Sequence, residues 1–170
     1  MKLIIINGPC GVGKTIVAEK VHDSMPLSFR VDVDAQARFM SHYREYREER
    51  WELTFAVTMA IMEACFKLGH DVIVEKMVYD PKTLDQYRAL AKKFKAEIHE
   101  IILWADKDTV MKRAGDRGWR ENSLLTPEKC ERFWNQIDEL KDKRKDATII
   151  DTSELSIEKV VGEVKKIVSK

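Results

Sequence analysis

The residues best suited to chemistry stand near the start of the chain, where Gly8–Thr15 has the sequence GPCGVGKT. This stretch matches the phosphate-binding pattern G-x-x-x-x-G-K-[ST] at every fixed position. In that pattern, glycines let the backbone curl into a cup of N–H donors, a lysine reaches the β- and γ-phosphates, and a threonine hydroxyl ligates magnesium. The spacing predicts that a nucleoside triphosphate binds at Gly8, Gly11, Val12, Gly13, Lys14 and Thr15.

A glycine-rich turn that joins a strand to a helix and binds nothing would have a similar composition. The neighbouring sequence favours the phosphate-binding interpretation. The apolar run Leu3–Ile6 precedes the motif and is typical of a strand buried on both faces, and apolar residues follow it at helical spacing. A helix that begins near Lys14 directs the positive end of its dipole at the same anion.

Three acidic residues lie at the ends of the predicted second and third strands. Because ligands bind outside the carboxyl ends of parallel strands, we expect these acids to converge on the phosphates. Asp34 is the candidate general base, which accepts the proton of an acceptor hydroxyl; the alternative is that Asp34 only caps a helix starting at Ala35. Asp32 and Glu75 are candidates to hold magnesium with Thr15, although Glu75 could instead be a solvated charge at a strand end.

Arginine side chains follow the acids on two predicted helices. Arg38 lies one turn after Asp34, so we expect it to bind the acceptor. Arg113 and Arg117 share one helix face, and we expect them to serve a lid at about residues 115–126, with Arg113 just before it, that closes over the migrating phosphoryl group. Arg120 is a weaker candidate for the same lid. The alternative is an exposed helix end, where arginine complements the helix dipole.

Strands alternate with helices along the whole chain, which predicts an α/β fold with a parallel sheet covered on both faces. No linker or composition change divides residues 1–170, so we expect a single domain. Two of the predicted helices are a charged segment from Ala35 to about Glu52 and a longer helix from Trp51 to Leu68. The second is expected to bury one apolar face, formed by Val57, Ala60, Ile61, Ala64 and Leu68.

The 30 Lys and Arg residues balance 29 Asp and Glu residues to a net charge of +1, so no global field attracts nucleic acid or an acidic membrane, although neutrality is compatible with a local basic cleft. The 3 cysteines have no metal-ligand spacing and suit a reducing compartment. No stretch has the length of a membrane span. We therefore expect a cytoplasmic monomer or weak dimer that acts on a small molecule, without nucleic-acid or membrane partners.

The phosphate loop, the Asp32–Asp34 strand end and the Arg113/Arg117 pair together resemble the small P-loop kinases. This group includes shikimate, gluconate and adenylyl-sulfate kinases, chloramphenicol phosphotransferase, zeta toxins and polynucleotide kinases. The chain is most similar to the bacterial branch that contains tunicamycin-resistance and gluconate-kinase-like proteins. The resemblance implies a three-layer P-loop NTPase fold, a five-stranded sheet of order 2-3-1-4-5, ATP with Mg²⁺ as donor, and a lid.

By the same resemblance, Asp34 matches the acidic base, Asp32 the metal-associated acid, and Arg113 or Arg117 the lid arginines. The sequence departs from the family after the third strand, where Lys76-Met77-Val78-Tyr79 replaces a glycine-rich stretch found in sugar- and shikimate-binding members. These features predict an ATP-dependent kinase that phosphorylates a hydroxyl of a small molecule. A polynucleotide 5′-end kinase and a GTP-binding switch are the alternatives, and the charge balance and the missing N-K-x-D motif disfavour them.

Overall fold

The computed structural model describes residues 1–119 and 125–169. A sheet of five parallel strands forms its centre, in the order β2-β3-β1-β4-β5. The strands are β1 (Lys2–Asn7), β2 (Phe29–Asp32), β3 (Val72–Glu75), β4 (Glu97–Trp104) and β5 (Thr148–Asp151). The predicted fold class and the strand order implied by the family resemblance are both confirmed.

Helices cover both faces of this sheet. They are α1 (Lys14–His22), α2 (Val33–Gln36), α3 (Arg47–Lys67), α4 (Pro81–Lys93), α5 (Lys107–Asp116), α6 (Pro127–Lys143) and α7 (Ile157–Val168), with a 3₁₀ turn at Ala37–Phe39 after α2. Among the residues that the structure describes, none of these helices combines the length and apolar character needed to cross a membrane.

Alternate residues of the central strand β1 pack into two separate apolar clusters. Ile4 and Ile6 pack with α1, α5 and α7 on one face, whereas Leu3 and Ile5 pack with α3 and α4 on the other. Because successive side chains of a strand point to opposite faces, a strand that is buried on both sides must be apolar at every position. The continuous apolar run near the start of the sequence follows from this requirement.

The predicted continuous helix from Ala35 to about Glu52 is wrong. Helical structure ends at Phe39, and Met40 has the extended dihedral angles φ −91° and ψ 129°. His42 then adopts a left-handed conformation with φ 54°, which cannot continue a right-handed helix. The chain turns at this point and α3 begins only at Arg47.

The predicted inward face of α3 is also wrong. The buried residues are Thr54, Thr58, Met62 and Phe66, while Val57 is 37% exposed and Leu68 is 75% exposed. The segment from residue 53 to residue 62 contains no charged residue, so both of its faces satisfy the apolar requirement. Packing against α4 and the sheet, and not hydropathy, decides which face of this helix is buried.

Candidate functional site

The loop between β1 and α1 has a backbone that only glycine can adopt at its critical positions. Gly8 has φ 142°, and a Cβ atom there would lie 2.1 Å from the carbonyl oxygen of Leu103 on β4. Gly13 has φ 88° at the N-cap position of α1. Only a residue without a side chain fits the space at Gly8, so the loop can curl tightly in front of the helix N-terminus.

Lys14 and Thr15 form the first turn of α1 and face the carboxyl edge of the sheet. The Lys14 ammonium group donates a hydrogen bond of 2.7 Å to the carbonyl oxygen of Pro9 across the loop. Burial lowers the pKa of Lys14 to about 8, and the nearby carboxylates of Asp34 and Glu75 oppose that shift. The structure therefore brings the predicted phosphate-binding lysine into electrostatic range of two predicted acids.

Asp32 and Glu75 are direct neighbours in the register of β2 and β3. Glu75 is 4% exposed, so the alternative of a solvated charge at this position is wrong. Burial raises the pKa of its carboxyl group, Asp32 raises it further, and hydrogen bonds from Thr15 and Arg30 act in the opposite direction. The Thr15 hydroxyl and the two carboxylates thus lie together, as the sequence predicts.

This group of oxygen atoms has the chemistry that Mg²⁺ requires. Magnesium proteins commonly supply one or two carboxylates and leave the remaining positions to water and substrate phosphates. Within residues 1–119 and 125–169, no larger group of three or more His, Cys, Asp or Glu side chains is arranged to hold a metal ion. One oxygen of Glu75 is already engaged, because Arg30 donates a 2.9 Å hydrogen bond to its Oε2 atom. Thr15, Asp32 and the other Glu75 oxygen therefore fit a metal that is also bound by phosphates.

Asp34 lies in the first turn of α2, with its side chain 69% exposed. The residue that caps α2 is Asp32, whose Oδ1 atom accepts a 2.9 Å hydrogen bond from the backbone N–H of Ala35. The alternative that Asp34 serves only as this cap is therefore wrong. Instead, the Asp34 carboxylate accepts a hydrogen bond from the ammonium group of Lys76, which follows β3.

A side-chain amide that sequence reasoning missed joins β1 to the segment after β3. Asn7 is fully buried. Its Oδ1 atom accepts a 2.7 Å hydrogen bond from the backbone N–H of Gly8 and a 2.9 Å hydrogen bond from the backbone N–H of Val78. Its Nδ2 atom donates a 2.7 Å hydrogen bond to the carbonyl oxygen of Val78. The sequence did contain a signal for this role, because Asn7 is a polar residue at the end of an apolar strand and directly precedes the glycine-rich loop.

Arg30 and Lys76 were also missed. Arg30 joins Glu75 on β3 to Glu19 on α1, with an Nη2–Oε1 distance of 3.3 Å to the latter. Lys76 directly follows the buried Glu75, which placed it at the carboxyl edge of the sheet, but nothing in the sequence indicated its partner Asp34. The ion pairs of both residues depend on which strands are adjacent.

The predicted lid arginines occupy different positions. Arg113 donates to the side chain of Thr152 at 3.3 Å and to the carbonyl groups of Thr152 and Ser153 at 2.9 and 3.1 Å, in the loop after β5. A Cβ atom at Gly11 would lie 3.4 Å from the Arg113 Cβ atom, so α5 packs directly on the phosphate loop. Arg117 is exposed at the end of α5.

The structure describes only part of the predicted lid. Residues Gly115 and Asp116 belong to the last turn of α5, and Arg120 lies outside the described residues. Arg38 is exposed in the 3₁₀ turn one turn after Asp34, on the same edge of the sheet. The roles of the arginines in binding a nucleotide or an acceptor stay predictions.

Comparison of the sequence with protein families finds a match over residues 3–145 to a family described as an AAA domain. The chain belongs to this AAA-domain family. The resemblance to P-loop proteins that the loop motif indicated is therefore confirmed. A comparison with curated proteins finds no match.

Solved structures that share this fold include a tunicamycin resistance protein and two kinases. A tunicamycin resistance protein from Deinococcus radiodurans has a TM-score of 0.67 at 18% identity, covering 99% of this chain and 96% of its own. A gluconokinase from Sinorhizobium meliloti has a TM-score of 0.72 at 15% identity, with coverage of 99% and 91%. A deoxyadenosine kinase from M. mycoides has a TM-score of 0.59 at 14% identity, with 99% coverage of both chains. At such identities the likeness shows a shared fold.

Proposed function

We propose that this protein is an ATP-dependent kinase that transfers the γ-phosphate of ATP to a hydroxyl group of a small molecule. The observation that carries the proposal is the convergence of a glycine-rich loop and its lysine with three carboxylates at one edge of the sheet. Lys14 lies in electrostatic range of Asp34 and Glu75, and Thr15 donates to Glu75. This is the set of groups that phosphoryl transfer requires.

The loop residues would bind the donor. Backbone N–H groups of Gly8, Gly11, Val12 and Gly13 and the N-terminus of α1 stabilise the phosphate charge, and Lys14 donates to the β- and γ-phosphates. Thr15, Asp32 and Glu75 would hold Mg²⁺, which supplies charge neutralisation to the phosphates when it is bound. Arg113, which packs beside Gly11, and Arg117 at the end of α5 supply additional positive charge to the transferred group.

Asp34 would act on the acceptor. The acceptor oxygen forms a bond to the γ-phosphorus, the bond from that phosphorus to the β,γ-bridging oxygen breaks, and ADP leaves. The hydroxyl proton passes to the Asp34 carboxylate. In the free protein the Lys76 ammonium group pairs with this carboxylate. The acceptor hydroxyl would take the place of that ammonium group when the substrate binds.

The structural comparisons support this class of reaction, because a gluconokinase and a deoxyadenosine kinase share the fold. Both names describe transfer of a phosphoryl group. The acceptors that these names state are a sugar acid and a nucleoside, so the shared fold does not by itself choose between acceptors.

Replacing Lys14 tests the donor half of the proposal. Lys14→Ala should weaken ATP binding about ten- to a hundredfold, since a hydrogen bond to a charged group contributes about 1.5–3 kcal/mol. ATP affinity can be measured by isothermal titration with Mg²⁺ present. The matched control is Lys20→Ala, which removes an exposed lysine on the same helix and should leave affinity unchanged. Equal ATP affinity of the parent and Lys14→Ala would refute the proposed donor site.

A further inference from the structure

An exposed tryptophan lies beside the proposed base. Trp51, in the second turn of α3, is 38% exposed. The Lys76 ammonium group lies 5.8 Å from the centroid of its ring and also donates to the Asp34 carboxylate. Because a single ammonium group joins the two, the ring centre and the carboxylate are separated by at most 5.8 Å plus one hydrogen-bond length. The Lys76 ammonium group lies over one face of this ring. A molecule that stacks on that face therefore takes the place of the ammonium group and lies within reach of Asp34.

The indole ring is held in place from behind by other aromatic rings. Phe55 has its centroid 6.5 Å from that of Trp51, and Tyr87 stacks on Phe55 at 5.8 Å with an interplanar angle of 23°. Tyr87 is fully buried in the core between α4 and the sheet. The rings thus form a chain from the core to the surface, so the exposed ring is fixed before any ligand arrives.

Lys76 is fixed from the other side by β1. Its backbone N–H donates a 3.3 Å hydrogen bond to the carbonyl oxygen of Ile6, and two residues later Val78 is bound by the Asn7 side chain. Ile6 and Asn7 lead directly into the phosphate loop. The position of Lys76, and of the Trp51 ring beside it, is therefore set relative to the γ-phosphate site.

We propose that the acceptor is nucleoside-like, with an aromatic heterocycle that stacks on Trp51 and a primary hydroxyl that faces Asp34; the role of Asp34 in this proposal rests on the proposed kinase function. Aromatic side chains with an exposed face bind planar rings of any base by stacking. The short span from ring to carboxylate is the span between the base and the primary hydroxyl of a nucleoside. An acceptor without an aromatic ring would lack this stacking contact.

The test compares nucleosides with acceptors that have no aromatic ring, on the intact chain. ADP formation from ATP and Mg²⁺ is measured with adenosine, guanosine, cytidine and thymidine, and in parallel with ribose, gluconate and shikimate. At least one nucleoside should stimulate ADP formation well above the three non-aromatic compounds. Turnover of a non-aromatic compound in preference to every nucleoside would overturn the proposal, and so would a panel in which no nucleoside binds or is phosphorylated.

Variants of Trp51 test the stacking contact itself. Trp51→Ala should raise the nucleoside KM about tenfold and leave kcat within about twofold, while Trp51→Phe should retain most of the affinity because it keeps a ring. Phe29→Ala is the matched control, since Phe29 is 47% exposed at the opposite end of β2, and it should behave as the parent. If Trp51→Ala folds and its nucleoside KM equals that of the parent, the ring has only a structural role and the proposal fails.

The two proposals fail in distinguishable ways. If ATP binds and a compound without an aromatic ring is phosphorylated without sensitivity to Trp51, the kinase function stands and the nucleoside proposal falls. If ATP does not bind, the kinase function falls, and direct titration of the parent and Trp51→Ala with the four nucleosides still measures the stacking site.

Discussion

The donor region, Gly8–Thr15, and the acceptor region, Val33–Trp51 with Lys76, are built in different ways. In the donor region Gly8, Pro9, Gly11 and Val12 are buried, and the backbone is set by glycine conformations and by contact with β4. The acceptor region is mostly exposed: Phe39 is 91% exposed, and the chain turns through a left-handed residue at His42. Backbone conformation sets the geometry of the donor region, whereas individual side chains form the contacts of the acceptor region.

Under the proposed kinase function, this difference separates the binding of ATP from the choice of acceptor. A loop whose backbone amides make the contacts tolerates few changes, because almost any side chain at Gly8 would collide with a neighbouring strand. Exposed side chains such as Trp51 and Arg38 can be exchanged at small cost to stability. The solved structures that share the fold carry names of kinases with different acceptors, so the fold alone does not determine the acceptor.

The largest expected effect comes from the acceptor region. Asp34→Asn removes the proposed base but keeps the size and exposure of the side chain, so kcat should fall about a hundred- to ten-thousandfold. The ATP dissociation constant should stay within about threefold of the parental value, because the donor contacts are made by the loop. Single-turnover transfer and ATP titration measure the two quantities separately.

Asp142→Asn is the control for this comparison. Asp142 is an exposed acid on α6 that pairs with Lys141 at 2.9 Å, as Asp34 pairs with Lys76. The control should transfer phosphate at the parental rate. Parental transfer by Asp34→Asn as well would show that Asp34 contributes only an ion pair, and catalysis would then need another base.

The donor region could be predicted from the sequence because local rules determine it. The apolar strand, the glycine spacing and the lysine–threonine pair are contiguous, and the structure folds them in the predicted order. Asp32 and Glu75 were predicted to converge because both end parallel strands, and their register in β2 and β3 brings them side by side. Neither prediction required knowledge of any distant contact.

The acceptor region could not be predicted because its geometry is set by packing at long range. The break after Phe39 begins at the extended residue Met40 and is followed by a positive φ at His42, and no glycine or proline marks this stretch in the sequence. The inward face of α3 was ambiguous because its apolar residues surround the helix. The pairing of Lys76 with Asp34 joins residues that are distant in the chain, and the sequence offers no local signal for it.

Asn7 links the two regions, and its removal should cost the most stability. Asn7→Ala leaves the buried N–H and C=O groups of Val78 without partners and removes the bond to Gly8, so the free energy of unfolding should fall by about 3 kcal/mol. The loss should also raise the acceptor KM, because Lys76 and Val78 are no longer held against β1. Denaturant unfolding and steady-state kinetics measure the two effects.

An exposed asparagine provides the matched control. Asn135→Ala on α6 should change the free energy of unfolding by no more than about 0.5 kcal/mol. If Asn7→Ala is equally mild, the two regions are joined by something other than this amide, and the fixed position of Lys76 loses its explanation.

The smallest effect is expected at the contact between α2 and α3. Thr58 is fully buried and donates a 3.3 Å hydrogen bond to Gln36, so Thr58→Val should lower the free energy of unfolding by about 1 kcal/mol or less. Because this bond holds α2, amide exchange in Val33–Gln36 should become faster and the acceptor KM should rise by a small factor, with ATP affinity unchanged. Thr148→Val, at an exposed position on β5, should change none of these quantities. A fall in ATP affinity with Thr58→Val would mean that α2 also supports the phosphate loop, and the separation of the two regions would then be incomplete.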